Sequence, residues 1–349
     1  MKRKIFEPSR VAKAFSRSSN SRIGASGSKS GGGISNWIRG NMFIPDARVG
    51  WVKPSIKFLS KWMESNSVDA VITTGPPHSM HLIGKGLKEK LGVKWVADFR
   101  DPWSDMDYLE EFAMGERAKE KMLKLEQSVV ALSDQLIVTS KGAGTKLTGE
   151  QKSEKVSWIP NGWDPSDFPQ SRPQVGDVFR IGHFGALHGA RNSTALWSAV
   201  SQFNKLSEKQ IQLVFAGHVC DEVKDDLKRF NLHFSCEFLG NLPHKKAVEE
   251  MMKCSALLLV HNDTESATRS IPGKLFEYLA TGVPMVSICR SNSDLSELLD
   301  SYNLPHSEHD DDMAAVAQLN STLTQKSIDA SPFKRKELTK ALIKVLEEL

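Results

Sequence analysis

Residues 68–98 read VDAVITTGPPHSMHLIGKGLKEKLGVKWVAD, and the predicted fold class rests on the pattern in this stretch. The apolar run from Val68 to Thr74 is rich in β-branched residues and ends at Gly-Pro-Pro, which predicts a buried strand followed by a loop. Ser79 to Leu91 has a helical period and stops before a glycine, and Lys94 to Asp98 predicts a second strand. A strand, a helix and a strand at this spacing indicate a parallel sheet covered by helices on both faces.

The same alternation continues on both sides of this stretch. It predicts helices at Ser55–Glu64 and 107–132, and strands at Gln135–Thr139 and Lys155–Ile159. Residues 160–177 are rich in Pro, Asp and Gly and are the best linker candidate. A complete doubly wound unit with five more predicted strands follows, and then a final helix at about 332–349. The five strands are Arg180–Phe184, Gln212–Ala216, Ser235–Leu239, Ala256–Val260 and Met285–Ile288.

We therefore predict an α/β protein with two Rossmann-like doubly wound domains that face a cleft, which suits a chain of 349 residues. The predicted divisions are a flexible basic segment at 1–34, a first domain at 35–165, a second domain at 166–331 and a C-terminal helix at 332–349. The first domain has no strand pattern before residue 68. Because the first strand of such a sheet usually lies in its middle, we expect a gap within that sheet.

The charge balance argues against a nucleic-acid-binding protein. The net charge is +4, from 46 basic and 42 acidic residues. No apolar run reaches the roughly 18 residues of a membrane span, and no signal peptide is visible, so we expect a cytoplasmic protein. Residues 1–34 contain eight basic residues and one acidic residue. This segment is either solvated or a peripheral contact with anionic lipids at the inner face of the membrane.

The four cysteines lie in the second half of the chain, far apart and without a CxxC pair. This spacing is not typical of a metal site, so we expect core thiols and no bound metal. The four residues are Cys220, Cys236, Cys254 and Cys289.

Open parallel sheets bind ligands at the carboxyl ends of their strands, and polar residues follow two predicted strands of the first domain. His78 follows the first of these strands, and Asp98, Arg100 and Asp101 follow the next. They would form a polar cluster that faces the crevice. The alternative for the acidic group is that Arg100 pairs with an aspartate and caps the following helix.

Two stretches of the second domain could bind an anion. The turn at Gly185 leads through Arg191 into a helix, whose first amides can hold a phosphate. Gly273 and Lys274 open another helix, and Glu277 lies one turn into it, where it could accept from two sugar hydroxyls. Ordinary helix capping with a solvated glutamate is the alternative.

The segment GKLFEYLATGVPM at 273–285 resembles the donor-site segment of family 4 glycosyltransferases. TTGPPHS and ADFRDPW resemble a bacterial subgroup of that family, and the match covers about 36–345. Further stretches agree in the right order: Trp158–Asp164 with Phe168 resembles the interdomain linker, and Val214–Gly217 and Glu237–Gly240 with Pro243 resemble two strand ends.

The resemblance implies a GT-B fold, a retaining mechanism and no metal or other cofactor. The donor would be a nucleoside-diphosphate sugar held mainly by the second domain. Glu277 would hold the ribose. The residues that would meet the diphosphate are Gly185, Arg191, Gly273, Lys274 and Leu275.

The first domain would hold the acceptor, with Asp98, Arg100 and Asp101 nearest the reacting sugar and His78 beside them. We therefore expect transfer to a lipid-linked or polysaccharide acceptor in cell-surface glycan biosynthesis. A non-catalytic nucleotide-binding fragment and a nucleotide-sugar epimerase of related fold are the alternatives.

The sequence departs from the family pattern at three places. Arg269 stands where many relatives have a second glutamate, and Ala186 stands where the family usually has an arginine, which leaves Arg191 as the main phosphate-binding cation. The opening strand and Gly-rich loop of the family have no counterpart, as if roughly 70–90 residues were absent before Met1.

Overall fold

A computed structural model of the chain describes residues 33–106, 109, 112–149, 153–171, 176, 178–207, 210–322, 325 and 327–349. Residues 1–32, which make up most of the predicted basic segment, lie outside the described residues. None of the described helices combines the length and the apolar character that crossing a membrane requires.

The first domain contains four parallel strands and five helices in its described residues. In chain order these elements are α1 (Gly33–Met42), α2 (Val52–Met63), β1 (Ala70–Gly75), α3 (Ser79–Leu91), β2 (Lys94–Phe99), α4 (Glu116–Leu132), β3 (Gln135–Val138), α5 (Lys141–Thr148) and β4 (Val156–Trp158).

The sheet of the first domain has the order β1-β2-β3-β4. The prediction of a gap within this sheet is wrong, because the four strands pair without interruption and β1 lies at one edge. The register aligns Thr74 of β1 with Asp98 of β2, so the loops after these two strands begin side by side.

The helix predicted over 107–132 begins only at Glu116. Ala113 has a positive φ of 45°, and Gly115 has an extended conformation and precedes the first helical residue. Since neither conformation continues a helix, residues 112–115 are not part of α4. The apolar periodicity that favoured an earlier start belongs instead to the side chains of Phe112 and Met114, which join the core of this domain.

The second domain has five parallel strands in the order β7-β6-β5-β8-β9. In chain order its elements are β5 (Phe179–Phe184), α6 (Thr194–Leu206), β6 (Ile211–Ala216), α7 (Asp221–Arg229), β7 (Cys236–Gly240), α8 (His244–Met252), β8 (Ala256–Val260), α9 (Lys274–Thr281), β9 (Met285–Ile288), α10 (Asp294–Ser301) and α11 (Asp312–Thr322). A last helix, α12 (Arg335–Glu347), follows near the predicted position.

The strands of the second domain are apolar because both faces of its sheet are covered. All five residues of β8 are buried, and apolar clusters form on opposite faces around Trp197 and Phe276. Three cysteines are buried and Cys236 is half-buried, all four as free thiols. The predicted fold class of two Rossmann-like α/β domains with parallel sheets is confirmed. Among the described strands, only the sheet of the second domain reverses its strand order, as a doubly wound sheet does.

The loops after the carboxyl ends of the two sheets touch each other. Ser140, which follows β3, donates its hydroxyl to the Arg269 carbonyl at 2.7 Å. The Gly142 amide donates to Asp294 Oδ2 at 2.7 Å, and Arg269 bonds Asp105 Oδ2 through Nη2 at 2.6 Å. Because these loops follow strands of both sheets, the two carboxyl edges face each other, and the candidate site lies between them.

The linker between the domains is attached to the segment before α12. Trp163 donates its amide to the Phe333 carbonyl at 3.0 Å and accepts from the Arg335 amide at 2.9 Å. Its indole Nε1 donates to the Ala330 carbonyl at 2.8 Å. The two sheets lie on either side of this linker, and the exact domain boundaries proposed from sequence remain a prediction.

Candidate functional site

Two glycines form the floor of the candidate site in the second domain. Gly185 follows β5 and Gly217 follows β6, with φ angles of 118° and 124° that other residues rarely adopt. A Cβ on Gly217 would lie 2.5 Å from the Gly185 carbonyl oxygen. The absence of both side chains therefore lets the two strand ends approach each other and leaves backbone exposed to a ligand.

Lys274, the first residue of α9, points its ammonium group at this floor. Its Nζ lies 3.1 Å from the position that a Cβ would take on Gly185, and 3.3 Å from Nε2 of the fully buried His183. Burial, with a smaller effect from Arg191, lowers the pKa of Lys274 to about 7. The low pKa means that this lysine lacks a compensating negative charge.

Arg191 lies on the turn between β5 and α6, as the sequence predicted for a phosphate-binding residue. Its Nε donates to Asn262 Oδ1 at 2.6 Å and its Nη1 donates to the Ala186 carbonyl at 3.0 Å. Both partners are neutral, and burial lowers the pKa of the guanidinium.

Among the described residues, neither Lys274 nor Arg191 forms a salt bridge with a carboxylate. His188 lies close enough to both that they lower its pKa further, after the larger effect of burial. Partly buried cations without a carboxylate partner gain from a nearby anion, which makes this cluster a candidate anion-binding site. No group of three or more His, Cys, Asp or Glu in the described part of the chain is placed to hold a metal ion.

Glu277 faces the other side of the α9 N-terminus and has a partner that the sequence did not predict. His244, the first residue of α8, brings its Nε2 to 2.9 Å from Glu277 Oε1. Asp167 of the linker lies on the other side of the same imidazole, with Oδ2 at 3.7 Å from Nδ1. His244 thus holds the carboxylate of Glu277, a residue of α9, the helix that begins with Lys274.

Gly273 and Leu275, the other two donor-site residues proposed from sequence, could contact a ligand only through their backbone atoms. Gly273 is exposed at the start of α9, and Asn161 of the linker lies 3.7 Å from the position of a Cβ on it. Leu275 is fully buried in the core, and its amide donates to the Pro272 carbonyl at 3.0 Å. The side chain of Leu275 is therefore placed for packing and not for ligand contact.

The acidic group of the first domain lies at the carboxyl end of β2. Burial raises the pKa of both Asp98 and Asp101, and Arg100 opposes this effect in each case. Among the described residues no salt bridge joins Arg100 to either aspartate, and the next helix begins far along the chain at Glu116. Arg100 therefore acts on both aspartates without a direct ion pair, and the Asp98 carboxyl group also has a hydrogen bond with the side chain of Thr74.

His78 lies inside the wall of this site. Its side chain is 4% exposed, packs edge-on against Trp103 with ring centroids 5.3 Å apart, and has no hydrogen-bond partner at either nitrogen. Burial lowers its pKa to about 4, against an opposing effect from Asp46, so the ring is neutral at physiological pH. The catalytic role proposed for His78 stays a prediction.

Two comparisons with known proteins bear on this geometry. Residues 178–322, which hold the glycine floor and the cation cluster, match the family model for glycosyl transferases group 1. The sequence has no significant match among curated proteins.

Solved structures share the two-domain architecture. Sucrose-phosphate synthase from Thermosynechococcus elongatus has a TM-score of 0.63 at 13% identity, over 86% of this chain and 78% of that chain. HepE from Anabaena, solved in complex with UDP, has a TM-score of 0.62 at 16% identity, over 85% and 82%. UDP-GlcNAc 2-epimerase from Methanocaldococcus jannaschii has a TM-score of 0.51 at 14% identity, over 87% and 82%.

At these identities the structural matches establish the fold alone, while the family model adds the class of the second domain. The chain has the two-domain GT-B fold of glycosyltransferases, and its residues 178–322 match the group 1 glycosyl transferases.

Proposed function

We propose that this protein transfers a sugar from a nucleoside-diphosphate sugar to a glycan or lipid-linked acceptor, at the inner face of the membrane or in the cytoplasm. The observation that carries the proposal is the unneutralised cation cluster of Lys274 and Arg191 beside the glycine floor. A diphosphate supplies the missing negative charge, and the similar fold of HepE was solved with UDP bound.

In this proposal the second domain binds the donor. The diphosphate lies against Gly185 and the N-terminus of α9, where Lys274, Arg191 and the exposed Gly273 meet it. Glu277, held by His244, accepts hydrogen bonds from the ribose hydroxyls. As the sugar leaves, the two cations stabilise the charge that develops on the diphosphate, and this stabilisation lowers the barrier.

The first domain binds the acceptor opposite the donor. Asp98 and Asp101 lie at the carboxyl edge that faces the second domain, and their raised pKa makes each carboxylate a stronger base than an exposed one. One of them accepts the hydrogen bond or proton of the attacking acceptor hydroxyl. We propose that transfer retains the configuration of the sugar, as in family 4 glycosyltransferases.

Calorimetric titration with UDP, GDP and their sugars tests the donor site. Glu277→Ala and Arg191→Ala should each weaken binding by about 1.5–3 kcal/mol, since each removes a charge-assisted hydrogen bond. Glu337→Ala and Arg229→Ala, on exposed helical ion pairs, are the matched controls and should bind as the wild type does. If a well-folded wild-type sample binds none of these nucleotides, the donor-site proposal is wrong.

A transfer assay with the bound donor tests the first domain. Asp101→Asn should leave donor binding unchanged and reduce turnover by about 100-fold or more, because it removes the basic carboxylate. Nucleotide binding without any transfer by the wild type would favour the non-catalytic alternative.

A nucleotide-sugar epimerase is the second candidate, and the shared fold with the Methanocaldococcus jannaschii 2-epimerase favours it. An epimerase needs no acceptor. If the donor alone yields an altered sugar that is still attached to its diphosphate, this second candidate replaces the transferase.

A further inference from the structure

Helix α2 exposes three large aromatic side chains along one stripe. Trp51, directly before the helix, is 46% exposed, Phe58 is 69% exposed and Trp62 is 48% exposed. Residues at these positions lie seven and four apart, so they follow one another along a single face of a helix. Aromatic residues of this size are normally buried, and a row of them in contact with water calls for a partner.

The opposite face of α2 is already occupied. Ile56 packs so closely on α3 that a Cβ on Gly86 would overlap its Cδ1. Ser60, one turn later, is fully buried. Because this packing fixes the rotation of the helix, the aromatic stripe is held facing away from the domain.

The charged side chains of α2 are all lysines. Lys53, Lys57 and Lys61 are four residues apart and exposed, and none forms a salt bridge with a described residue. No acidic residue occurs anywhere in Val52–Met63. At about 100° per residue, Lys61 lies about 80° and Lys57 about 120° from the centre of the aromatic stripe, while Lys53 lies nearer the packed face. Positive charge therefore flanks the stripe toward the C-terminal end of the helix.

We propose that α2 is a membrane-docking surface that lies on an anionic phospholipid bilayer. Tryptophan and phenylalanine insert at the boundary between headgroups and acyl chains, and lysines beside them meet the lipid phosphates. This surface is formed by folded residues and is distinct from the basic segment 1–34. Docking by this surface does not depend on the reaction that the cleft performs, so this proposal is independent of the proposed function.

Vesicle sedimentation tests the docking surface, with the full chain and vesicles of equal parts phosphatidylglycerol and phosphatidylcholine, or of phosphatidylcholine alone. The wild type should bind the anionic vesicles, bind them more weakly but still measurably at high salt, and show a blue shift of tryptophan emission. The triple variant Lys53→Gln/Lys57→Gln/Lys61→Gln should bind the anionic vesicles at least about tenfold more weakly than the wild type does. Trp51→Ala/Phe58→Ala/Trp62→Ala should lose the binding that remains at high salt.

A matched control exists on α12, where Lys336, Lys340 and Lys344 have the same spacing and are also exposed. Substitution of these three lysines by glutamine should leave vesicle binding unchanged. If the α12 variant loses as much binding as the α2 variant, net charge or the 1–34 segment is responsible and the proposal is wrong. Absence of binding to anionic vesicles, or self-association that the aromatic variant abolishes, also overturns it. Thermal melting and UDP titration of each variant verify that it is folded.

Discussion

Lys274 makes donor binding dependent on pH. Its pKa is about 7 in the free protein, and a bound diphosphate favours the ammonium form and raises that pKa. Well below pH 7 the lysine is already protonated, so binding takes up no proton from it. Above pH 7 the lysine must take up a proton from solution when the diphosphate binds. The affinity for the diphosphate should therefore fall by up to about tenfold per pH unit, until the pKa of Lys274 in the complex is reached.

Titrations with UDP over about two pH units on each side of pH 7, in buffers of different ionisation enthalpy, measure this proton uptake. His188 has a lowered pKa and titrates below that of an ordinary histidine, so it does not produce the slope above pH 7. Lys274→Arg keeps its charge at all these pH values and should remove the slope. A slope that persists in this variant would assign the titration to another group.

At this scale the sequence indicates some residues of the candidate site and not others. Gly185, Lys274 and Glu277 can be proposed from sequence because a turn glycine and a helix start are local signals. His244 was missed, since it lies 33 residues from Glu277 and only the packing of α8 against α9 brings the two together. Asn262 is another such residue, brought to Arg191 from a loop 71 residues away.

The attachment of the linker to the segment before α12 can be tested by a glycine-to-alanine substitution, which adds one methyl group. A Cβ on Gly162 would overlap the Phe333 carbonyl oxygen, so Gly162→Ala must move one of the two segments. We expect a loss of about 1–3 kcal/mol in the free energy of unfolding, measured by urea denaturation.

Gly176 is the matched control for this substitution. It also lies in the predicted linker, and a Cβ there would meet no atom of the described residues within 4 Å. Gly176→Ala should change stability by less than about 0.5 kcal/mol. Equal effects of the two substitutions would mean that the contact between Gly162 and Phe333 does not hold the linker.

The elements themselves were predictable where burial is complete. The strands at Ala256–Val260 and Met285–Ile288 were predicted with their observed bounds, because strands covered on both faces leave an uninterrupted apolar run. The predicted start of α4 was wrong because Met114, in a non-helical segment, lies four residues before Ala118 and continues the spacing of the buried face of the helix. Periodicity alone does not distinguish the two cases.

At the scale of the whole molecule, an ion pair joins the two domains. Asp105 of the first domain lies between Arg269, at 2.6 Å, and Lys146, at 3.3 Å. Arg269 stands where the resemblance to family 4 glycosyltransferases would place a second glutamate, and here it makes a contact between domains. The pair was not predictable, because its members are 164 residues apart and each follows a different sheet.

Removal of this pair should loosen the contact between the domains. A double-mutant cycle with Asp105→Asn and Arg269→Gln should give a coupling energy of about 1 kcal/mol in the unfolding free energy, the range for a partly exposed pair. Small-angle scattering of the single variants should show a larger radius of gyration than that of the wild type. Asp263→Asn, which breaks a pair with Arg290 within the second domain, is the control. A coupling energy of zero would show that the other contacts, such as the hydrogen bond from Ser140 to the Arg269 carbonyl, join the domains without help from this pair.

The distribution of thiols gives the molecule a built-in probe of one domain. All four cysteines belong to the second domain, and burial raises the pKa of Cys236, Cys254 and Cys289 to about 12. Alkylating reagents attack the thiolate, so the folded protein should react slowly and each opening of this domain should expose fast-reacting groups. Since the first domain contains no cysteine, the labelling rate reports the second domain alone. A slower labelling rate in the presence of a nucleotide would measure how much the bound ligand suppresses the opening of the second domain.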